Sequence, residues 1–263
     1  APAPVTAVFA GLLTKVGVYA IIRTETLLFP GGQVATLLMV VAGLTMVVGI
    51  LGAVAQSDLK RLLSFTLVSH IGYMIFGVAL SSVAGLSGAI FYVVHHITIQ
   101  TTLFLVAGLV EERAGSTDLR RIGGLARIAP MLGVLFFVPA MNLAGIPPFS
   151  GFLGKLGLLQ AGVAAGGTLP AVLVAAGTLT SLLTLYAASR VWNIAFWREP
   201  RLATATPPAR LPRLMVGATT ALVALGVLFT LLAGPLFQVT ADAATDLRER
   251  TPYVRAVLPR DVP

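Results

Sequence analysis

The 263-residue sequence contains no cysteine, which excludes disulfides, thiolate nucleophiles and cysteine-based metal sites. Charge is scarce as well: 11% of residues are charged and 57% hydrophobic, and the mean hydropathy is +0.92. A soluble enzyme domain does not need so much apolar surface to fill one core, so that class is excluded and a membrane protein is indicated. Acids are rarer than bases, 10 against 18. In a chain this apolar, the resulting +8 marks cytoplasmic loops and anionic headgroups; nucleic acid is not an expected partner. Phosphate-binding loops are missing too: Gly31-Gly32, Gly123-Gly124 and Gly166-Gly167 have no Lys-Ser/Thr or βαβ context. No Ser/His/Asp nucleophile arrangement can be assembled, and no cofactor is implied.

What is present is a series of seven apolar stretches, roughly 5–23, 33–55, 62–80, 86–110, 129–160, 170–197 and 212–234, bounded by Gly, Pro or charge. Runs such as Leu37 to Val54 are apolar on every face and lack the alternation of a barrel strand, so the fold class is all-α, a polytopic membrane helix bundle. The fifth stretch is too long for one straight span. It carries Asn142-Leu-Ala-Gly-Ile-Pro-Pro-Phe-Ser-Gly151, whose paired prolines remove two donors, so it is expected to be a broken helix. The sixth ends in Trp192-Asn-Ile-Ala-Phe-Trp197 and Arg198, an anchor of the kind found at headgroup level.

Loop charge sets an expected orientation. Lys60, Arg61, Arg113, Arg120, Arg121, Arg127, Arg198, Arg201, Arg210 and Arg213 fall on the side where the chain starts, against Arg23 alone on the other, so the starting side is expected to be cytoplasmic. Residues 1–234 then form the transmembrane bundle. Residues 235–263, with Asp242, Asp246 and Glu249 among four arginines, are expected to form an extracytoplasmic amphipathic tail. The opening Ala1-Pro-Ala-Pro lacks both Met and a basic signal-peptide region and reads as a cut.

Cations inside the apolar stretches are the features most relevant to chemistry. Only three of the 18 are lysines, and two of these, Lys15 and Lys155, lie within apolar helices, whereas almost every arginine lies at an end. Arginine stays charged, but a buried lysine can exchange a proton. Lys15 is some ten residues into its span, or about 15 Å deep, beyond comfortable snorkelling reach. Lys155 sits on the helix that restarts after Pro147-Pro148, where the alternative is an interfacial lysine at a loop end. His95 and His96 have no acidic companion at ligand spacing, so no metal site is expected. Either a proton relay or a hydrogen-bonded packing role suits them, and neighbours about 100° apart on a helix would divide the two. His70 and the cluster Asp58, Lys60, Arg61 are read as structural. No acidic residue falls in a span interior, so a carboxylate partner for Lys15 would have to lie outside this chain.

The segments GLLTKVGVYAIIRT (11–24), QSDLKRLLSFTLVSHIGYM (56–74), HHITIQTTLFLVAG (95–108), DLRRIGGL (118–125) and NLAGIPPFSGFLGK (142–155), with Ala3-Pro-Val before them, resemble the antiporter-like membrane subunits shared by respiratory complex I and the Mrp-type multisubunit Na+/H+ antiporters. The wording TKVGVYAIIRT and the tail Tyr253-Val-Arg-Ala-Val-Leu are most similar to the Mrp branch, in its D-type member. The resemblance implies a fold of fourteen core helices in two inverted repeats, of which this chain looks like the second half. It implies that Lys15, His95 or His96, and Lys155 lie on a hydrated proton path. It also implies a hetero-oligomer with other antiporter subunits in the cell's plasma membrane, moving protons and monovalent cations. One departure stands out: the family commonly has a lysine where this sequence has Gln100. The family's upstream acidic residue and lysine have no counterpart in this segment. The competing expectations are a proton-pumping, non-redox subunit of NADH:quinone oxidoreductase and a non-transporting scaffold. Buried lysines speak against the scaffold, because an intramembrane charge is costly.

Overall fold

The structure, a computed structural model, describes residues 3–30, 32–199 and 211–257. Arg201 and Arg210 of the loop-charge pattern, and positions 258–263 of the tail, lie outside the described residues. With no water in the hydrocarbon to satisfy a free amide or carbonyl, an apolar chain crosses as helix. The described residues accordingly form helices joined by short turns: α1 (Ala3–Leu28), α2 (Ala35–Ala55), α3 (Leu59–Ala79), α4 (Val83–Ala114), the single turn α5 (Leu125–Ile128), α6 (Pro130–Ala144), α7 (Ser150–Ala165), α8 (Thr168–Trp197), α9 (Arg213–Leu231), α10 (Ala233–Arg248) and α11 (Arg250–Val257). Six of them are long and apolar enough to span a membrane, and α6 is a shorter apolar helix.

Local chemistry sets the boundaries. Asp58 caps α3 by accepting the Arg61 amide at 2.9 Å, and Ser82 caps α4 by accepting the Gly85 amide at 3.0 Å. Gly115 ends α4 in the left-handed conformation at φ +70°. Asp58 also accepts from Thr117, and the Lys60–Glu111 ion pair joins the same ends of α3 and α4, so this cluster staples the loop after α4 to the start of α3. In that loop, hydrogen bonds from Arg120 hold the Asp118 carboxyl below its usual range.

The 32-residue α4 is the axis of the bundle; α1, α3, α6, α7, α9 and α10 all pack on it. Close approaches are made by small residues. Gly11 of α1 meets Thr101, Gly108 meets Ala3 and Met215, and Gly49 of α2 lies against Ser69 of α3.

The fifth apolar stretch is broken as expected, into α6 and α7 on either side of residues 145–149. A second interruption is not announced by the apolar pattern. Along α4, Gly226 of α9 packs on Ile99, then Phe237 of α10 stacks on Phe91 (4.0 Å between centroids), Thr240 bonds Ser87 (3.0 Å) and Arg248 donates to the Ser81 carbonyl. α9 and α10 thus follow one another down the same neighbour, separated at Leu232, where Gly234-Pro235 makes an uninterrupted helix unfavourable. The division expected at 234/235 falls within this continuous packing. One correction concerns acids. α1 continues past residue 23 to Leu28, and Glu25 is buried near its end, accepting from the Ser81 hydroxyl at 2.7 Å. A helix one turn longer than its apolar stretch brings a carboxylate inside.

Candidate functional site

The break between α6 and α7 is organised by a few polar groups. Gly145, at φ +85°, lets the chain turn back, and its amide and that of Ile146 bond the Met141 carbonyl. The last carbonyls of α6, Leu143 and Ala144, instead accept from Lys155 Nζ, each at 3.0 Å. Lys155 is 3% exposed. A cation at the carbonyl end of a helix is favoured by the helix dipole as well as by the hydrogen bonds. Two of its donors are therefore used, while Nζ lies 5.3 Å from the centre of the Tyr73 ring. On the other half-helix, the Ser150 amide donates to Thr230 of α9 (3.0 Å) and the Gly151 amide to Asn142 Oδ1 (2.8 Å). The two interruptions of the bundle are thus tied to each other.

From Tyr73 a row of rings leads to α4. Tyr73 bonds Thr180 (2.7 Å), Ser181 (2.8 Å) and the Gly177 carbonyl of α8, and lies 5.8 Å from His70. His70 Nδ1 meets the Tyr92 hydroxyl at 2.6 Å, and its ring is 5.1 Å from that of His96. Tyr92 lies 5.4 Å from His95, whose Nδ1 meets Ser150 Oγ at 3.0 Å. The row so returns to the break. All of these rings, with Lys155 and Ser150, are buried. His95 Nε2, both nitrogens of His96, Gln100 Oε1 and Asn142 Nδ2 have no protein partner among the described residues.

Of the four residues singled out from the sequence, Lys155, His95 and His96 belong to one connected cluster. Lys15 stands apart. It is 4% exposed, and Nζ donates to the Ala10 carbonyl and to Thr14 Oγ1, both at 3.2 Å. Ala10 lies in a π-helical turn, Phe9–Leu13, whose wider winding presents a carbonyl to a lysine five residues on. This turn packs at Thr101, about one turn of α4 beyond His96. Gln100, next to Thr101 on α4, donates to the Leu63 carbonyl of α3 at 2.8 Å. Among the described residues no group of three His, Cys, Asp or Glu is placed to hold a metal.

The family described as NADH:quinone oxidoreductase/Mrp antiporter, transmembrane, matches residues 1–184, which include all four of these positions. The chain belongs to that family. It is 40% identical over 259 residues to the D-type member of the Na(+)/H(+) antiporter of Alkalihalophilus pseudofirmus, covering 98% of this chain and 52% of the relative. To the protein of the same name from Bacillus subtilis it is 36% identical, with the same coverage. Among solved structures it is similar to a chain of the Mrp complex from a Dietzia species, with TM-score 0.88 and 33% identity over 96% of this chain and 55% of that one. It is also similar to a chain of respiratory complex I from Thermus thermophilus, with TM-score 0.77 and 28% identity over 90% and 50%. The chain spans about half the length of the curated relatives it matches.

Several residues that complete the cluster in this antiporter family member are not singled out by the sequence alone: His70, Tyr73, Tyr92, Asn142 and Ser150. A signal is available. His70 with Tyr73 and Tyr92 with His95 each stand three apart, on one helix face, with polar rings inside otherwise apolar spans. His70, read as structural, lies at the junction of both pairs.

Proposed function

We propose that this chain is part of a proton-translocating membrane subunit of a multisubunit monovalent cation (Na+)/H+ antiporter, working beside other subunits as a secondary ion transporter component rather than an enzyme. The observation that carries this reading is the buried row from Lys155 through Tyr73, His70 and the histidine pair to Ser150, inside a bundle with six candidate spans. Buried polar atoms need partners. Water meeting His95 Nε2, the His96 nitrogens, Gln100 Oε1 and Asn142 Nδ2 would join groups that can accept and donate protons.

In this reading Lys15 is the central proton carrier, His95 and His96 are the middle relay, and Lys155 gates the exit. A neutral lysine amine still has two hydrogens for the Leu143 and Ala144 carbonyls, so Lys155 can give up its third and keep its position. The side bearing the start of α1 is cytoplasmic, and α10, packed along α4, leads the chain towards the opposite side. Relatives with higher identity bear antiporter names, and complex I enters at 28%, which favours the antiporter over the quinone oxidoreductase.

The test is Lys155→Ala in the full-length protein within its assembled complex. Exchange of Na+ for H+ in membrane vesicles should be lost while the subunits still co-purify. Near-normal exchange would overturn the assignment.

A further inference from the structure

Asn142 Oδ1 accepts the Gly151 amide at 2.8 Å, which fixes that atom as the oxygen of the side chain, since an NH2 group cannot accept. The same oxygen lies 3.4 Å from Ser150 Oγ. Two acceptors do not face one another favourably, so the single hydroxyl hydrogen of Ser150 points to Asn142. The Ser150 amide is engaged elsewhere, on Thr230. With that hydrogen on Asn142, Ser150 Oγ offers His95, 3.0 Å away, a lone pair, and the hydrogen of the neutral ring then belongs on Nδ1. The neutral ring then has its lone pair on Nε2, the nitrogen that is buried without a protein partner among the described residues.

We propose that Ser150 is a positioning residue that holds His95 in the Nδ1–H tautomer and confines its proton exchange to Nε2. The inference rests on the proton-path reading above and adds a direction to it. Uptake of a proton at Nε2 gives an imidazolium with both nitrogens protonated, and release from Nε2 restores the starting ring. Release from Nδ1 would place the proton on Ser150 Oγ, which would have to pass its own hydrogen to Asn142 Oδ1. That atom is a neutral amide oxygen with little affinity for a proton, so the branch towards the helix break is closed. The helix restart that exposes Lys155 to its two carbonyls thus also seals His95 from that side.

The test is nitrogen-15 solid-state NMR of the full-length protein in its assembled complex, with histidine labelled and His95 identified through its peptide bond to Val94. In the wild-type complex Nδ1 should show the signature of a nitrogen bearing hydrogen and Nε2 that of an unprotonated one. An Nε2–H tautomer there would overturn the proposal whatever any variant does. In Ser150→Ala the ratio of Nδ1–H to Nε2–H should fall about tenfold, the worth of one buried hydrogen bond. Ser150→Thr, which keeps the hydroxyl, should restore it. An unchanged ratio in Ser150→Ala would reduce Ser150 to a packing role. Transport is the separate arm: if the tautomer is as stated but Lys155→Ala still exchanges ions, the proton-path reading fails and the tautomer assignment survives.

Discussion

Lys15 and Lys155 solve the same problem with different partners. Each ammonium is taken out of water and given backbone carbonyls that a regular helix would have used or left exposed. For Lys155 these are the last two of α6, and for Lys15 that of Ala10 in a π-helical turn. Carbonyls stabilise the charged group without neutralising it, which a carboxylate would do. That suits the proton-carrying role proposed for these lysines. Lys15→Arg in the full-length complex is therefore expected to abolish ΔpH-driven exchange as completely as Lys15→Ala, since a guanidinium keeps its proton. Comparison of vesicle exchange in the two variants, with assembly checked by co-purification, measures this; an arginine variant that exchanges normally would show that only charge matters at the position.

At the scale of the element, the decisive features are interruptions. The α6–α7 break can be read from Pro147-Pro148, because two missing amides in an apolar stretch leave no other outcome. The α9–α10 break is harder to see. Gly234-Pro235 falls where the apolar run already fades into charge, so the pattern resembles an ordinary helix end, and only packing on Phe91 and Ser87 shows that the chain continues along α4. The buried Glu25 is hidden for a related reason: hydropathy locates apolar stretches, while hydrogen bonding decides where a helix stops. Lys155 and the histidines are legible as polar residues out of place, but Ser150, Asn142 and Tyr73 are ordinary in composition and gain their roles from partners distant in sequence. At the first break, Gly145 takes φ +85°, and an added Cβ would come within 3.0 Å of Lys155 Cδ. Gly145→Ala is expected to destabilise the folded protein by about 1–2 kcal/mol through the left-handed backbone alone. A lower melting temperature, with a larger loss of exchange than of assembly, is the expected result, because the displaced side chain is Lys155.

Across the whole molecule, the buried polar groups of the row lie where α3, α4, α7 and α8 meet, and the outward faces of α1, α2, α8 and α9 carry exposed Val, Leu and other apolar side chains that suit lipid or partner helices. Arg113, Arg120, Arg121, Arg127, Arg190 and Arg198 lie near the ends of α4 and α8, and the orientation proposed from such loop charges can be measured. An impermeant thiol reagent applied to intact cells should label a cysteine placed at Ala256 and spare one placed at Ser116; the reverse pattern would invert the arrangement. The central claim is that the buried row conducts protons and does not merely pack. His96 tests it most directly, because both ring nitrogens are buried without a protein partner among the described residues and its ring packs against His70 and Tyr92. His96→Phe keeps a ring and removes two unsatisfied polar atoms, each of which costs about 1–3 kcal/mol when buried dry. The measurement is Na+/H+ exchange in vesicles alongside thermal stability of the assembled full-length complex. A relay role predicts that exchange is lost while the melting temperature holds or rises. Undiminished exchange in the His96→Phe complex would contradict the account.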